Sequence, residues 1–362
     1  MRIFIFPSTG GGNPYIEYVM EGLESNGSVV VNKDKKSKLS RLFSMLFSES
    51  YKPDVYHFNW IENYSVENTF KYKVISSYFL HMVKRAKRRG KIIAWTVHNK
   101  EPHNLDGHDD TMYNRFMSEY VPLVDVFFIH AKETKEFLGK KFGVDSAKVH
   151  YVPQGAYDLS KAVVEPDEKA KFSVLSFGMI HPYKNIPVIV KAFEKFAEGK
   201  DARLHICGKC TDASLESEII KTIDNHPKIV FDNRFVLDEE LELLLGKASV
   251  IALPYDTQSM NNSGVAALAF THGRPVVSTT FGSMSDIKEK SFVFTYDYMD
   301  EADNINKLSD ELDKLYRIWT EDREQYIAMM KDARRYVVEE LSWDTICKDM
   351  IEAYLTAKRG SE

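Results

Sequence analysis

The sequence predicts an α/β protein built from two doubly wound domains, each with a parallel sheet. Its 362 residues are about twice the length of a usual domain. Short apolar runs alternate with amphipathic segments, the alternation lapses in a polar stretch around 156–171, and it then begins again. Alternating strands and helices of this kind are typical of parallel sheets that carry helices on both faces.

The first domain is expected over residues 1–160. Apolar runs predict its strands, which are Arg2–Phe6, Ser28–Val31, Asp54–Phe58, Lys91–Val97, Val124–Ile129 and Lys148–Val152. The clearest helix is Lys71–Arg89, where apolar residues at three- and four-residue spacing stand opposite lysines and arginines.

The second domain is expected over residues 161–341. Its predicted strands are Phe172–Phe177, Arg203–Cys207, Lys228–Phe231, Ser249–Leu253, Pro275–Ser278 and Ser291–Phe294. Its predicted helices are Lys184–Ala197, one within Ala213–Asn225, Glu239–Leu245, Gly264–His272, Ala302–Trp319 and Arg323–Glu340. A last helix, Trp343–Ala357 within residues 342–362, is expected to return toward the first domain.

Composition and charge exclude several classes of protein. The chain is 44% hydrophobic and 28% charged, which is ordinary for a globular protein and argues against disorder or a fibrous repeat. A net charge of −5 argues against a nucleic-acid binder. Three cysteines are too few for a disulfide framework, and no apolar run approaches the roughly 20 residues that span a bilayer. We therefore expect a cytoplasmic protein that touches a membrane, if at all, only peripherally at its inner face.

The loops that follow strands are where function is expected, because ligands of open α/β sheets bind beyond the carboxyl ends of the strands. In the second half, a strand ends at Gly178, and Lys184 and Asn185 open the next helix. Further on, Ser263 precedes Gly264 and Val265 at another predicted helix start. A lysine and free helix N–H groups suit a diphosphate. The alternatives are a solvated lysine and a serine that only caps its helix.

The order of these motifs resembles the GT-B glycosyltransferases of family four (group 1). The resemblance rests on five motifs in this order. They are a strand that ends in glycine and is followed by YKN (183–185), LDEELELLLGKASVIALPY (237–255), SGV (263–265), HGRPVV (272–277) and SWD (342–344). It implies two Rossmann-like domains that face each other across a cleft. It also implies that the second domain binds a nucleotide-sugar donor, the first binds the acceptor, and no metal or cofactor is needed.

The resemblance assigns roles on the donor side. It implies that Lys184 binds the donor diphosphate and that the backbone of Val236 contacts the nucleotide base. It also implies that Gly282 lines the donor pocket. The full set of expected donor residues is Gly178, Lys184, Asn185, Val236, Tyr255, Ser263, Gly264, Val265 and Gly282. Two features depart from the family pattern. Met179 stands where many relatives have arginine, and Met260 or Asn261 and Leu268 stand where many retaining members have glutamates.

The acceptor side is expected in the first domain. Gly10, Gly11 and Gly12 follow the first strand, in a loop that matches neither the dinucleotide fingerprint nor a P-loop and is otherwise a plain turn. His57 and Trp60 are expected at the end of the strand Asp54–Phe58, facing the cleft.

Candidate catalytic groups follow the strand that ends at Val97. His98 and His103 lie in a stretch, HNKEPHN, that is similar to one in bacterial β-mannosyltransferase-like enzymes, and an imidazole is a natural base for a sugar hydroxyl. Asp106 is the carboxylate alternative, with Asp109 and Asp110. The nearest metal-like cluster consists of His98, His103, His108, Asp109 and Asp110, but it lacks the ligand spacing of a zinc site. The pair Cys207 and Cys210 is interpreted as incidental.

The sequence thus predicts transfer of a sugar from a UDP- or GDP-sugar to a saccharide or lipid-linked saccharide, in surface polysaccharide or glycolipid assembly. Two alternatives stay open, a non-catalytic nucleotide-sugar-binding subunit and a sugar-nucleotide epimerase. A dehydrogenase is disfavoured because no GxGxxG stands at a strand–helix junction. The basic segments Lys35–Phe47 and Lys71–Arg89 suit either ordinary packing on a sheet or contact with an anionic membrane.

Overall fold

The computed structural model describes residues 1–8, 13–33, 51–61, 70–100, 110–160, 163–165, 170–257 and 260–360. The chain divides into two compact units, one of Met1–Gly155 with Leu341–Glu362 and the other of Ala156–Glu340. In the described residues each unit has a six-stranded sheet in which every pair of neighbouring strands is parallel. The predicted α/β class with two doubly wound parallel sheets is confirmed.

The first unit is built around the strands β1 to β6, in the spatial order β2-β1-β3-β4-β5-β6. These strands are Arg2–Phe6, Val29–Val30, Val55–Asn59, Ile92–Val97, Val126–Ile129 and Val149–Tyr151. The helices α1 to α4 are Tyr15–Ser25, Phe70–Arg88, Asp110–Tyr120 and Glu133–Phe142. The central strand β4 is buried at every residue, as expected for an apolar run covered on both faces.

Both faces of the first sheet are covered by apolar side chains. On one face α2 and α3 pack through aromatic residues such as Phe79, Phe116 and Tyr120. On the other face lie α1 and the last helix of the chain, α12, which spans Trp343–Arg359 and buries Tyr354 against the sheet. The carboxyl-terminal helix is therefore part of the first unit.

The second unit is built around the strands β7 to β12, in the spatial order β12-β11-β10-β7-β8-β9. These strands are Phe172–Phe177, Ala202–Cys207, Ile229–Asp232, Val250–Leu253, Val276–Thr279 and Val293–Tyr296. The helices α5 to α11 are Ile186–Phe196, Ala213–Ile223, Asp238–Lys247, Gly264–Thr271, Gly282–Asp286, Glu301–Glu321 and Arg323–Glu340. The apolar helix α8 packs against α11, where Phe270 meets Tyr336.

One predicted boundary is wrong in a way that affects the site. The helix expected from Lys184 begins only at Ile186, because Pro182–Lys184 form a 3₁₀ turn and Asn185 adopts the left-handed conformation with φ 51°. Lys184 therefore lies before the helix and not in its first turn. The short helix α9 was not predicted from the sequence.

A helix that crosses a bilayer needs about 20 predominantly apolar residues. None of the helices in the described part of the chain is both long and apolar enough to cross a membrane.

Candidate functional site

Two glycines bring the carboxyl ends of β7 and β8 together in the second unit. Gly178 and Gly208 follow these strands with φ values of 87° and 151°. A Cβ atom on Gly208 would lie only 2.2 Å from the carbonyl oxygen of Gly178, and a Cβ on Gly178 would lie 3.1 Å from Lys184 Nζ. Glycine is required here because any side chain would separate these strand ends and push Lys184 away.

Lys184 is folded back over the end of β7. Its side chain is only 3% exposed, and Nζ donates a hydrogen bond of 2.7 Å to the carbonyl oxygen of Phe177. Burial lowers the pKa of Lys184 to about 7, because an ammonium loses its hydration there. Among the described residues no carboxylate forms an ion pair with it. The alternative of a solvated lysine is excluded.

The end of β10 is tied to the same turn. The Asn185 side-chain amide donates to the carbonyl oxygen of Pro254 at 2.8 Å. The buried ring of Tyr255 lies 5.9 Å from Lys184 Nζ and stacks on Phe281, with 5.5 Å between ring centroids. Burial raises the pKa of Tyr255 well above its usual value. The Lys184 side chain therefore lies beside the stacked rings of Tyr255 and Phe281.

The start of α8 lies beside this turn. Ser263 caps the helix, because its Oγ accepts a hydrogen bond of 3.3 Å from the backbone N–H of Ala266. Val265 is close enough that a Cβ on Gly178 would come within 3.7 Å of its Cγ2. The structure thus brings together five predicted residues, which we call the Lys184 cluster: Gly178, Lys184, Tyr255, Ser263 and Val265.

The other predicted donor residues lie around this cluster or apart from it. Gly264 approaches Tyr157, whose hydroxyl would be 2.7 Å from a Cβ at that position. Gly282, at φ 22°, lies so close to Asn261 that a Cβ would come within 2.0 Å of the Asn261 carbonyl oxygen. Val236 is half-buried in the loop between β9 and α7, and no described contact joins it to the Lys184 cluster.

In the first unit, His98 lies directly after β4 and is buried. Its ring stacks on Trp60 with 4.3 Å between centroids, and Nε2 lies 3.0 Å from Asn59 Oδ1. Burial, together with the neighbouring His130 and His57, holds the pKa of His98 well below its usual value. The imidazole is therefore neutral at physiological pH.

The prediction that His57 faces outward at a strand end is wrong. Strand β3 continues to Asn59, so His57 lies inside the sheet and is fully buried. Its Nε2 is 2.7 Å from Thr96 Oγ1, and its Nδ1 is 2.8 Å from the Tyr354 hydroxyl. Burial lowers the pKa of His57 to about 3. One ring nitrogen thus bonds the neighbouring strand β4 and the other binds α12 to the sheet.

A third buried histidine, His130, was missed by the sequence analysis. It follows β5 as His98 follows β4, and this shared position was the signal that could have found it. Its Nδ1 donates to the carbonyl oxygen of Val152 at 2.8 Å, and its ring lies 5.1 Å from that of His98. Burial lowers its pKa to about 4.

Several predicted residues lie outside the described part of the chain. These are Gly10, Gly11, Gly12, His103, Asp106, His108 and Asp109, while of Asp110 only the backbone, at the start of α3, is described. Their roles stay predictions. Elsewhere, in the residues that are described, no group of three His, Cys, Asp or Glu side chains is arranged to hold a metal ion.

Known proteins resemble the chain in both sequence and fold. The family "Glycosyl transferases group 1" matches residues 171–317. An uncharacterized glycosyltransferase from Methanocaldococcus jannaschii is 27% identical over 195 residues, which cover 54% of this chain and 46% of that protein. The chain's match therefore spans about half the length of that relative. The GDP-mannose:glycolipid 4-beta-D-mannosyltransferase of Xanthomonas campestris is 22% identical over 277 residues, 75% of each chain.

Solved structures match nearly the whole chain. A glycosyltransferase from Rickettsia africae superposes with a TM-score of 0.69 at 13% identity, over 98% of both chains. HepE of Anabaena in complex with UDP superposes with a TM-score of 0.70 at 11% identity, over 98% of this chain and 99% of that one. At sequence identities this low, the structural similarity establishes a shared fold and nothing further. The chain has the GT-B fold, and its residues 171–317 are similar to the group 1 glycosyl transferases.

Proposed function

We propose that the protein is a glycosyltransferase that moves a sugar from a UDP- or GDP-sugar to a saccharide or lipid-linked saccharide acceptor. The observation that carries this proposal is the amino group of Lys184, which is buried with no carboxylate partner among the described residues. An ammonium has three N–H donors, and one of them meets the Phe177 carbonyl oxygen. A bound diphosphate would satisfy the others and would supply the negative charge that a buried cation needs.

The same group is suited to catalysis as well as to binding. When the glycosidic bond to the donor breaks, negative charge grows on the diphosphate. Lys184 and the N–H groups at the start of α8 stabilise that charge more in the transition state than in the ground state, which is what accelerates the reaction. No metal ion is required by this arrangement, because a cation and a helix N-terminus perform the same electrostatic task.

The acceptor is assigned to the first unit and the donor to the second. His98 is the described candidate base, but its low pKa makes it a weak one. His103 and Asp106 remain the other candidates. In this proposal the enzyme acts in the cytoplasm in surface polysaccharide or glycolipid assembly, and the basic helix α2 contacts the inner face of the membrane.

Nucleotide binding tests the proposal first. Melting temperatures are measured with UDP, GDP, ADP, CMP and dTDP, each with Mg²⁺ and with EDTA, for the wild type, Lys184→Ala and Lys191→Ala. Lys191 is an exposed lysine of α5 that pairs with Glu301 and serves as the matched control. UDP or GDP should raise the melting temperature without metal in the wild type and the control, since a ligand at about 100 times its Kd adds about 2.7 kcal/mol. No shift with any nucleotide would overturn the proposal.

A non-catalytic nucleotide-sugar-binding subunit is the second candidate. It is favoured by Met179, which is 55% exposed where many relatives carry arginine, and by Leu268 at a position where many carry glutamate. Such a subunit would show the nucleotide shift but no release of nucleoside diphosphate with any acceptor. An epimerase would instead convert the donor in the absence of an acceptor.

A further inference from the structure

Tyr157 lies along α8 and places its hydroxyl over the first residue of that helix. The backbone N–H of Tyr157 donates a hydrogen bond of 3.4 Å to Thr271 Oγ1, at the carboxyl end of α8. At the other end, a Cβ atom on Gly264 would lie 2.7 Å from the Tyr157 hydroxyl and 3.9 Å from its Cζ. Outside α8 and Ser263, no other atom of the described chain comes within 4 Å of that position. Glycine at the start of α8 therefore leaves room for this hydroxyl.

The segment that carries Tyr157 is anchored on the second unit. The guanidinium of Arg334 donates to the carbonyl oxygen of Leu159 and, at 2.6 Å, to that of Thr271. These bonds and the bond from the Tyr157 backbone fix the segment along α8. Tyr157 itself is only half-buried, so its side chain remains partly open to a ligand.

Polar groups at the start of α8 lack partners. Ser263 caps the N–H of Ala266, while the N–H groups of Gly264 and Val265 meet no acceptor among the described residues. The hydroxyl of Tyr255, which neighbours Ser263, is buried and forms no hydrogen bond of normal geometry in the described part of the chain. Because buried polar groups are nearly always paired, these groups indicate a polar ligand at the helix start.

Two side chains flank the first turn of α8. A Cβ atom on Gly178 would lie 3.1 Å from Lys184 Nζ and 3.7 Å from Val265 Cγ2, which places Lys184 beside the second residue of the helix. The Tyr157 hydroxyl lies beside the first residue, Gly264. The helix start therefore has a cation and a phenol hydroxyl next to its own N–H groups.

We propose that the Tyr157 hydroxyl donates a hydrogen bond to a phosphate group of the nucleotide-sugar donor at the start of α8. This assignment rests on the proposed transferase function and adds a residue to its donor site. A hydrogen bond from a hydroxyl to an ionised phosphate oxygen is charge-assisted and stronger than a neutral one. Since negative charge on the diphosphate grows as the glycosidic bond breaks, this hydrogen bond strengthens in the transition state.

Calorimetric Kd values for UDP and GDP, measured with EDTA, test this assignment. Uridine and guanosine, which have no phosphate, are titrated beside them. The variants are Tyr157→Phe, Gly264→Ala and the two combined. Tyr316→Phe is the matched control, because Tyr316 is a half-buried tyrosine of α10 that packs on Phe172, at the amino end of β7.

Tyr157→Phe should weaken binding of the nucleoside diphosphate about tenfold, a difference of about 1.4 kcal/mol, and should leave binding of the matching nucleoside unchanged. Gly264→Ala should cause a similar loss, because the new Cβ displaces the hydroxyl. Once Tyr157→Phe is present, Gly264→Ala should cost little further affinity, since the nearest remaining atom is Cζ at 3.9 Å. Tyr316→Phe should bind as the wild type does.

Three results would overturn the proposal. The first is wild-type affinity in Tyr157→Phe. The second is an equal loss for the nucleoside, which would show that the hydroxyl does not act on the phosphates. The third is additive losses in the combined variant, which would show that a Cβ at Gly264 meets the ligand itself and not Tyr157.

Two readouts separate this proposal from the proposed function. Without ligand, Gly264→Ala should lower the melting temperature when Tyr157 is present but not together with Tyr157→Phe, which tests the contact alone. If the wild type binds UDP or GDP and Tyr157→Phe binds it equally, the Tyr157 assignment fails and the proposed function stands. If the wild type binds no nucleotide, both fail.

Discussion

Both units bury titratable groups in or beside their sheets, but these groups have different hydrogen-bond partners. In the first unit, His57 uses both ring nitrogens within its own unit, and His130 donates to a backbone carbonyl. In the second unit, Lys184 is equally buried but bonds only the Phe177 carbonyl oxygen among the described residues. The pKa values of His57 and His130 fall to about 3 and about 4, so both are neutral near pH 7, whereas Lys184, with a pKa of about 7, remains charged in about half of the molecules and would be stabilised by an anion. This difference supports the proposal that the ligand site at Lys184 lies in the second unit.

The largest effect is expected from Lys184→Ala. Removal of a donor that faces developing charge lowers kcat by about 100- to 1,000-fold. Steady-state release of nucleoside diphosphate is the measurement, with Lys191→Ala as the control. Retained kcat in Lys184→Ala would show that the buried ammonium has no part in the reaction.

Because of its buried histidines, we expect the first unit to lose stability in mild acid. Their pKa values are lowered on folding, so the unfolded chain binds protons first. The stabilisation is complete above the unfolded value of about 6.5 and decreases as the pH falls toward 4 and 3. Between pH 7 and pH 5, His57 and His130 should each lower the free energy of unfolding by about 2 kcal/mol.

This acid effect is measured by urea unfolding at pH 7 and pH 5. Trp319→Phe leaves the fluorescence to Trp60, Trp95 and Trp343, all in the first unit. His57→Gln with His130→Gln should reduce the pH-dependent loss by about 4 kcal/mol, while the exposed His81→Gln should not change it. An equal pH dependence in both variants would contradict the assignment of these histidines as buried and neutral.

The glycines at the strand ends allow a matched comparison. Gly208→Ala places a Cβ 2.2 Å from the Gly178 carbonyl oxygen, so we expect a loss of about 1–3 kcal/mol in the free energy of unfolding together with weaker nucleotide binding. Gly246→Ala, in α7, meets nothing within 4 Å and should stabilise the helix by up to about 1 kcal/mol. Chemical denaturation of both variants checks this, and equal stabilities would contradict the close approach of β7 and β8.

The smallest effect is expected at Ser263. Ser263→Ala should cost about 1 kcal/mol through loss of the N-cap of α8. Ser263→Asp keeps a capping oxygen but adds a negative charge, so it should retain stability and lose nucleotide affinity. If Ser263→Asp bound nucleotide as tightly as the wild type, the start of α8 would not lie under the phosphates.

The fold and much of the Lys184 cluster could be predicted from the sequence. Apolar runs set the strands, and Gly178, Lys184 and Ser263 were expected at strand ends and helix starts because phosphate sites use those positions. The orientation of Lys184 could not be predicted, since it depends on a 3₁₀ turn and on the left-handed conformation of Asn185. Periodicity does not show either feature.

The first unit was harder to predict because a strand end was misjudged by one residue. The predicted strand stopped at Phe58, which placed His57 near its end, whereas β3 continues to Asn59 and keeps His57 in the interior. The partner of His57, Tyr354, lies almost 300 residues away in the sequence on α12. Such a distant contact leaves no local pattern, so the role of His57 could not be inferred, whereas His130 could have been found from its position directly after β5.

The pKa of Lys184 with and without nucleoside diphosphate tests the central claim most directly. It is measured by the pH dependence of competitive amine labelling, with Lys184 resolved by mass spectrometry, in the free protein and with saturating UDP or GDP. The account predicts a pKa of about 7 in the free protein and a marked rise on binding, because the anion stabilises the ammonium. A lysine that titrates near its ordinary value in the free protein, or whose pKa does not change with either nucleotide, would contradict the account.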